Sequence, residues 1–153
     1  MNKTSLLMCV LAPMLLSNSV FAKETVSKDV EFLNTKPASI ALPFSEIVKV
    51  ENTLYLSGQI GIDPKTNKLT KGGVIVEADQ TLKNIQQTLQ RHGYTMKNVV
   101  KCTVMLTNIA DFASFNRVYT RYFSAPYPAR SAFAVNDLAL NASVEVECIA
   151  SAL

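Results

Sequence analysis

One arginine begins an otherwise uncharged segment that alternates like a β-strand. In residues 129–135, a period of two places Arg130 on one face together with Ala132 and Ala134. A guanidinium that is even partly buried needs a partner, and its planar fork matches a carboxylate through two parallel hydrogen bonds. Arg130 is therefore a candidate for binding a small carboxylic acid.

Two glutamates supply acidic groups that such a site could use. Glu145 and Glu147 share one face of the segment 143–151 by the same two-residue period. A carboxylate in this position can transfer protons during a reaction, or it can form a structural ion pair with Arg130. The residues alone leave both interpretations open, because structural ion pairs are common in folded proteins.

The remaining reactive side chains have simpler structural explanations. Cys102 and Cys148 each lie in an alternating apolar run, and an oxidising compartment would permit a disulfide, but the sequence gives no distance between them. We therefore expect two buried, small apolar groups. His92 falls at the end of a helical pattern, where it suits the helix dipole. Because it is the only histidine and no paired-cysteine motif is present, we predict no metal site.

Hydrophobic periodicity predicts the elements that must position these groups. Runs with a period of two indicate strands at 47–50, 54–57, 99–106, 129–135 and 143–151. Helices are predicted from about Glu77 to Gly93 and from about Asp111 to Phe123, and 63–68 is predicted to be a turn-rich loop. The order β-β-α-β-α-β-β predicts an α+β domain, in which one mixed sheet has both helices on one face.

The faces of these elements predict a core and an assembly. Aromatic side chains follow one side of the second helix, and we assign them to the core. They are Phe112, Phe115, Tyr119, Tyr122 and Phe123. Apolar residues also occur on both faces of the predicted strands, so the sheet face without helices must be covered. Oligomerisation is the expected consequence.

The N-terminus differs in character from the rest of the chain. Lys3 precedes the apolar run 6–16, and Val20 and Ala22 place small residues as a signal peptidase requires. We expect a signal peptide at 1–22, cleaved after Ala22, and a periplasmic or secreted mature chain. The alternative, an uncleaved anchor, is disfavoured because the run is short for a bilayer and Pro13 interrupts it. The polar segment 23–40 is expected to be an extended N-terminal arm.

Size and charge limit the classes of function. With 153 residues, of which 48% are apolar, the chain can bury one core and form one domain, here 23–153. Removal of residues 1–22 takes away Lys3 and no acid, which leaves 14 basic and 12 acidic side chains. The lysines are scattered, so neither nucleic acid nor a membrane surface is an expected partner.

Three segments together resemble the signature regions of the RidA family of reactive-intermediate deaminases. They are Leu56–Ile60, Pro128–Ser131 and Val144–Ala150, and the resemblance covers about residues 35–153. It implies a chorismate-mutase-like fold assembled as a homotrimer, with sites between subunits. It also implies a 2-iminobutanoate/2-iminopropanoate-type deaminase, which hydrolyses reactive imine and enamine acids to 2-oxo acids and ammonia. No cofactor is expected, because an imine carbon is already electrophilic.

The resemblance assigns roles to individual residues. Arg130 would bind the substrate carboxylate and Glu145 would position or activate the attacking water. Ser57 would contribute to substrate binding, the backbone carbonyl of Ala132 would orient the imine nitrogen, and Asn116 would shape the pocket. Arg130, Glu145 and Ser57 lie in the three matching segments, and Asn116 lies in Phe115-Asn116, which matches the family in order and spacing.

Two positions depart from that pattern. Phe44, after Pro43, stands where the family has a tyrosine, and Ala132 stands where it has a cysteine. Loss of the cysteine leaves the backbone carbonyl, whereas loss of the phenol removes a hydrogen bond to the substrate. The alternative function is a non-catalytic protein of the same fold that binds small molecules or acts as a holdase-like chaperone. Retention of Arg130 favours the enzyme.

Overall fold

The structure is a computed structural model, and it describes residues 30–35 and 42–153. The predicted signal peptide at 1–22, its cleavage site and most of the predicted arm at 23–40 lie outside the described residues. Neither long helix of the described chain combines the length and apolar character needed to cross a membrane.

One mixed sheet forms the centre of the domain. Its strands are β1 (Val30–Leu33), β2 (Ile47–Val50), β3 (Thr53–Leu56), β4 (Gln59–Ile60), β7 (Val99–Leu106), β8 (Ala129–Ala134) and β9 (Val144–Ser151). The spatial order is β1-β2-β3-β9-β7-β8, and β4 extends the sheet beside β9. β8 pairs with β7 in parallel, while the other pairs are antiparallel.

Two helices cover one face of this sheet. Helix α1 (Val74–Arg91) begins three residues before the predicted start, directly after Gly73. Val74 lies four residues before Ala78 and packs against the core, so the apolar spacing of the helix extends one turn further than predicted. Gly93 ends it in the left-handed region, with φ of +85°, and donates its N–H to the Gln90 carbonyl. Helix α2 (Phe112–Tyr122) follows Asp111 as predicted, although the Asp111 side chain makes no cap bond. The predicted order β-β-α-β-α-β-β is confirmed.

The core lies between the helices and the sheet. Fully buried apolar side chains come from α1, α2, β7 and β9, and each contributes roughly 1.5–3 kcal/mol by leaving water. Among the largest are Leu82, Ile85, Phe115, Val104 and Val146. Phe115, Tyr119 and Phe123 are buried, which confirms the core assignment for these three aromatic side chains. Phe112, in contrast, is 38% exposed.

Short strands appear where the sequence predicts irregular chain. Residues 30–33, within the predicted arm, form the edge strand β1 beside β2. The predicted loop at 63–68 is the turn of a hairpin in which β5 (Ile62–Asp63) pairs with β6 (Lys68–Leu69). Strands of two residues are too short to show alternation, so periodicity does not detect them.

Cys102 and Cys148 form a disulfide, which corrects the expectation of two free buried cysteines. They are directly opposed on β7 and β9, with a Cα–Cα distance of 4.1 Å. The prediction was wrong because sequence shows only that each cysteine lies in a strand. The register between two strands 46 residues apart decides that the two side chains meet.

The sheet face opposite the helices, which we call the open face, has exposed apolar side chains. Phe133 on β8 is 45% exposed and Tyr55 on β3 is 49% exposed. At the edge strand β1, Phe32 is 69% exposed. Strand register places all of these on one side of the sheet. The predicted second apolar face is therefore present in the described chain.

Candidate active site

Arg130 lies on the helix-covered face of β8, against the aromatic side chains of α2. Its register partner Cys102 is buried on that same face. The guanidinium carbon lies 4.6 Å from the ring centre of Tyr119, 5.4 Å from that of Phe112 and 6.0 Å from that of Phe115. These distances are within the range of cation–π attraction.

The Arg130 guanidinium has no acidic partner in the part of the chain that the structure describes. Among residues 30–35 and 42–153, no carboxylate forms an ion pair with it, and no side chain accepts a hydrogen bond from it. Its planar set of N–H donors is therefore available to a ligand, and a carboxylate is the group that fits it in two-point geometry.

Two predicted site residues accompany Arg130. Ala132, two residues along β8, is partly buried on the same face. Asn116 lies on α2, four residues after Phe112 and three before Tyr119, so it shares the side of the helix that faces Arg130. Its Oδ1 is buried without a hydrogen-bond partner in the described chain. The Tyr119 hydroxyl has the same property. Burial raises the pKa of Tyr119, and the nearby Arg130 opposes part of that rise. Arg130, Ala132 and Asn116 form what we call the arginine half-site.

Glu145 lies on the opposite side of the sheet from Arg130. Its register partner on β7 is Met105, three residues after Cys102, so the two-residue period of the strand places them on opposite faces. The alternative prediction, a structural ion pair between Arg130 and Glu145, is therefore wrong within a single chain. Glu147, on the Glu145 face, is likewise not paired with Arg130 in the described chain.

A cavity of about 650 Å³ contains Glu145 together with other predicted site residues. Ser57 and Phe44 also line it, and we call this set the glutamate half-site. Burial, and then the charge of Glu147, raise the pKa of Glu145 above its ordinary value. A carboxyl with a raised pKa is better matched to proton transfer near neutral pH.

Short hydrogen bonds hold the strands around Glu145. Ser57 donates its N–H to the Glu46 carbonyl at 3.1 Å and its Oγ–H to the Ser45 carbonyl at 2.7 Å. At the start of β9, Ser143 donates its N–H and its Oγ–H to the buried carboxylate of Glu77, at 2.6 and 2.9 Å. Helix α1 is thereby tied to the strand that contains Glu145.

Glu46, which lines the cavity, belongs to a cluster that the sequence analysis did not assign to the site. Glu46 accepts from the Thr35 hydroxyl at 2.8 Å and lies 3.3 Å from His92 Nε2. Burial acts to raise the pKa of Glu46, but the bonds from Thr35 and His92 and the charge of Arg91 outweigh it and lower the pKa. His92 therefore contacts an acidic side chain, in addition to its favourable position at the C-terminal end of helix α1. Glu46 and His92 are 46 residues apart, so no local pattern predicts their contact.

Two further residues shape the half-sites. Gly58 allows the Glu145 carboxylate to approach the backbone, and Tyr119 contacts the Arg130 guanidinium. Sequence reasoning placed Tyr119 in the core, and the spacing of Phe112, Phe115 and Tyr119 was the signal that could have suggested one continuous aromatic surface. In the described chain, no group of three or more His, Cys, Asp or Glu side chains is arranged to hold a metal ion.

Comparison with known sequences gives consistent matches. A family model described as Endoribonuclease L-PSP matches residues 34–152. The chain is 41% identical to Reactive Intermediate Deaminase A, chloroplastic, of Arabidopsis thaliana, over 92% of this chain and 74% of that protein. It is 45% identical to the 2-iminobutanoate/2-iminopropanoate deaminase of Mus musculus, over 74% of this chain and 84% of that protein.

A solved structure shows the same fold. RidA from an Antarctic Psychrobacter bacterium superposes with a TM-score of 0.70 and is 38% identical, over 82% of this chain and 99% of that one. The match covers 99% of that chain, so the two proteins share the fold over nearly the whole of the matched protein. Their sequences are also similar over the same region.

Proposed function

The chain belongs to the reactive-intermediate deaminase (RidA) family, and from this membership we propose that it hydrolyses 2-iminobutanoate, 2-iminopropanoate and related imine or enamine acids to 2-oxo acids and ammonia. The observation that best supports the proposal is that Arg130 has no ion-pair partner among the described residues. A partly buried guanidinium with free donors is an expected binding group for the carboxylate that all these substrates share.

The reaction requires one water and no electron transfer. Glu145, as a carboxylate, takes a proton from water while the water oxygen attacks the imine carbon. Glu145 returns that proton to the imine nitrogen, which gives a neutral carbinolamine. Glu145 then takes the proton of the carbinolamine hydroxyl and passes it to the amino nitrogen, so that the C=O bond of the 2-oxo acid forms as the C–N bond breaks and ammonia leaves. Arg130 holds the carboxylate next to the reacting carbon, so that the attack occurs within one bound complex. The raised pKa of Glu145 supports its part in these proton transfers.

The site requires two chains. Arg130 and Glu145 lie on opposite faces of one sheet, so the two half-sites of one chain do not face each other. We propose a homotrimer in which the arginine half-site of one subunit meets the glutamate half-site of its neighbour. The exposed apolar side chains of the open face support this assembly, because a solvated face of this kind is unfavourable in a monomer.

The two departures from the family pattern affect substrate range. Phe44 is 52% exposed at the cavity and offers no hydroxyl to a substrate. Its ring instead favours substrates with apolar side chains. Ala132 retains its backbone carbonyl beside Arg130, and hydrolysis needs only that carbonyl to orient the imine nitrogen.

The test is direct hydrolysis of imines made in situ. An amino-acid oxidase would generate imines from alanine, 2-aminobutanoate, leucine and phenylalanine, and the purified protein would compete with semicarbazide for them. We expect faster release of ammonia and less semicarbazone than with buffer alone. An equal semicarbazone yield with and without protein, at all four amino acids, would refute the proposed activity. Cleavage of RNA by the same preparation would favour the endoribonuclease description instead.

We also propose that the protein acts outside the cytoplasm. The apolar run with its cleavage pattern before Lys23 supports export, and the disulfide between Cys102 and Cys148 suits an oxidising compartment. Intact-mass measurement on the protein from its native compartment tests this. A mass that retains residues 1–22 in the cytoplasmic fraction would contradict it.

A further inference from the structure

The aromatic side chains beneath Arg130 form a regular set on one side of α2. Phe112, Phe115 and Tyr119 are separated by three and four residues, so they follow one another along one face of the helix. All three ring centres lie between 4.6 and 6.0 Å from the guanidinium carbon. We call these rings the aromatic platform.

The platform is the contact that restrains the Arg130 side chain. Within the described residues the guanidinium has no ion pair and no hydrogen bond, and β8 is an edge strand with a neighbour on one side only. A long side chain without such contacts would sample many rotamers and would lose that freedom on binding a ligand. A guanidinium stacked on fixed rings is already ordered, and its edge donors remain free.

Tyr119 is the central member of the platform. It has the shortest distance to the guanidinium, and it is 4% exposed. Its ring also packs between Phe115, at 5.7 Å, and Phe123, at 4.5 Å, so its own position is fixed. Its hydroxyl oxygen is buried and makes no hydrogen bond in the described chain. The face of the ring, and not the hydroxyl, is therefore the part that contacts Arg130.

From this geometry we propose that Tyr119 is a positioning residue for substrate binding, which holds Arg130 in the orientation that accepts a carboxylate. The inference rests on the proposed role of Arg130. Loss of the ring should weaken ground-state and transition-state binding together, so it should raise KM and leave kcat nearly unchanged. A residue that only fills the core would lower stability instead.

The experiment compares Tyr119→Leu with Tyr119→Phe. The probe is 2-oxobutanoate, whose binding is measured by calorimetry, and KM and kcat are measured for 2-iminobutanoate. We expect Tyr119→Leu to raise both Kd and KM about fivefold or more, as the strength of a partly desolvated cation–π contact predicts. Tyr119→Phe keeps the ring, so we expect it to restore both constants to within about twofold of the wild type.

Val118→Ala is the packing control, because Val118 is a buried neighbour on α2 that makes no cation–π contact with Arg130. We expect it to lower the melting temperature without raising Kd. If Tyr119→Leu behaves in the same way, the positioning role is refuted.

If Tyr119→Leu does not fold, Phe112→Leu tests the role of the platform instead. Phe112 is 38% exposed, so its substitution removes little buried packing. We expect a twofold to threefold rise in Kd, estimated as about half the effect at Tyr119, and an unchanged Kd would refute the platform.

Arg130→Ala, measured in parallel, separates the two proposals. An Arg130→Ala protein that binds 2-oxobutanoate and turns over 2-iminobutanoate like the wild type would refute the proposed function. Loss of binding in Arg130→Ala, combined with wild-type constants in both Tyr119→Leu and Phe112→Leu, would refute the role of the platform alone.

Discussion

Gly58 lies so close to Glu145 that a methyl group on its Cα would be 2.0 Å from Glu145 Oε1. Its φ is outside the left-handed region, so alanine is compatible with the backbone. We predict that Gly58→Ala displaces the Glu145 carboxylate, because the end of a side chain moves more easily than the backbone. The expected result is a fall in kcat of about tenfold or more, as for a misplaced general base, with little change in melting temperature.

Gly93→Ala is the matched control for this substitution. Gly93 has φ of +85° at the end of α1, and no atom lies within 4 Å of the added methyl group. It should lose about 1 kcal/mol of stability through backbone strain and keep the wild-type kcat. Equal kcat in Gly58→Ala and the wild type would show that the position of Glu145 is not limiting.

Arg130 should be required for activity and dispensable for folding. No ion pair in the described chain depends on it, so its removal leaves no buried carboxylate without a partner. A charge-assisted contact to a substrate carboxylate is worth roughly 1.5–3 kcal/mol, so Arg130→Ala should lower kcat/KM by at least about tenfold. Arg130→Lys should fail similarly, because an ammonium lacks the planar fork. Full activity in either folded variant would contradict the carboxylate role.

The pH dependence of the reaction should follow Glu145. Burial and the charge of Glu147 raise the pKa of Glu145, and a general base acts when deprotonated, so kcat/KM should rise with pH through that pKa. Glu147→Gln removes a like charge, which lowers the pKa of Glu145 and moves the acid limb to lower pH. Glu51→Gln, in the exposed β2–β3 turn, makes the same change in net charge and should leave the profile in place. Glu145→Gln should lose the limb and most of kcat.

The disulfide should contribute substantially to stability. It closes a loop across 46 residues, which in the chain-entropy model corresponds to about 4 kcal/mol. The Cys102→Ala, Cys148→Ala double variant should therefore unfold at a lower urea concentration than the wild type, and dithiothreitol should destabilise the wild type but not the variant. Two free thiols in freshly purified, denatured mature protein would contradict the disulfide.

A charge on the open face should break the proposed trimer. Phe133 is 45% exposed on β8, so Phe133→Glu adds a carboxylate to the surface that subunits would bury. Because the side chain is already partly exposed, the substitution should change the stability of a monomer little. Light scattering should give about three times the chain mass for the wild type, as the proposed homotrimer implies, and one chain mass for the variant, which should be inactive. Val100→Glu tests whether the N-terminal end of β7 belongs to the same interface, since Val100 is 48% exposed. An active wild-type monomer would contradict a site formed by two chains.

Local periodicity predicted both long helices and the strands β2, β3, β7, β8 and β9, together with the faces of these elements. Alternation placed Arg130 beside Ala132, and a spacing of three and four residues placed Ala78 and Leu82 on the buried side of α1. These predictions hold because a strand repeats every two residues and a helix every 3.6, whatever the rest of the chain does. The resemblance to the family then assigned substrate binding to Arg130 and water activation to Glu145.

Only the tertiary structure decided which of these faces meet. The register of β9 and β7 joins Cys102 to Cys148 and places Glu145 on the face opposite Arg130. The packing of α2 against β8 places Tyr119 under the guanidinium, where the sequence showed only a core aromatic. Contacts of this kind join residues far apart in the chain, and their register depends on the packing of the whole sheet. A local pattern therefore determines the face on which a side chain lies, and the fold determines its neighbour.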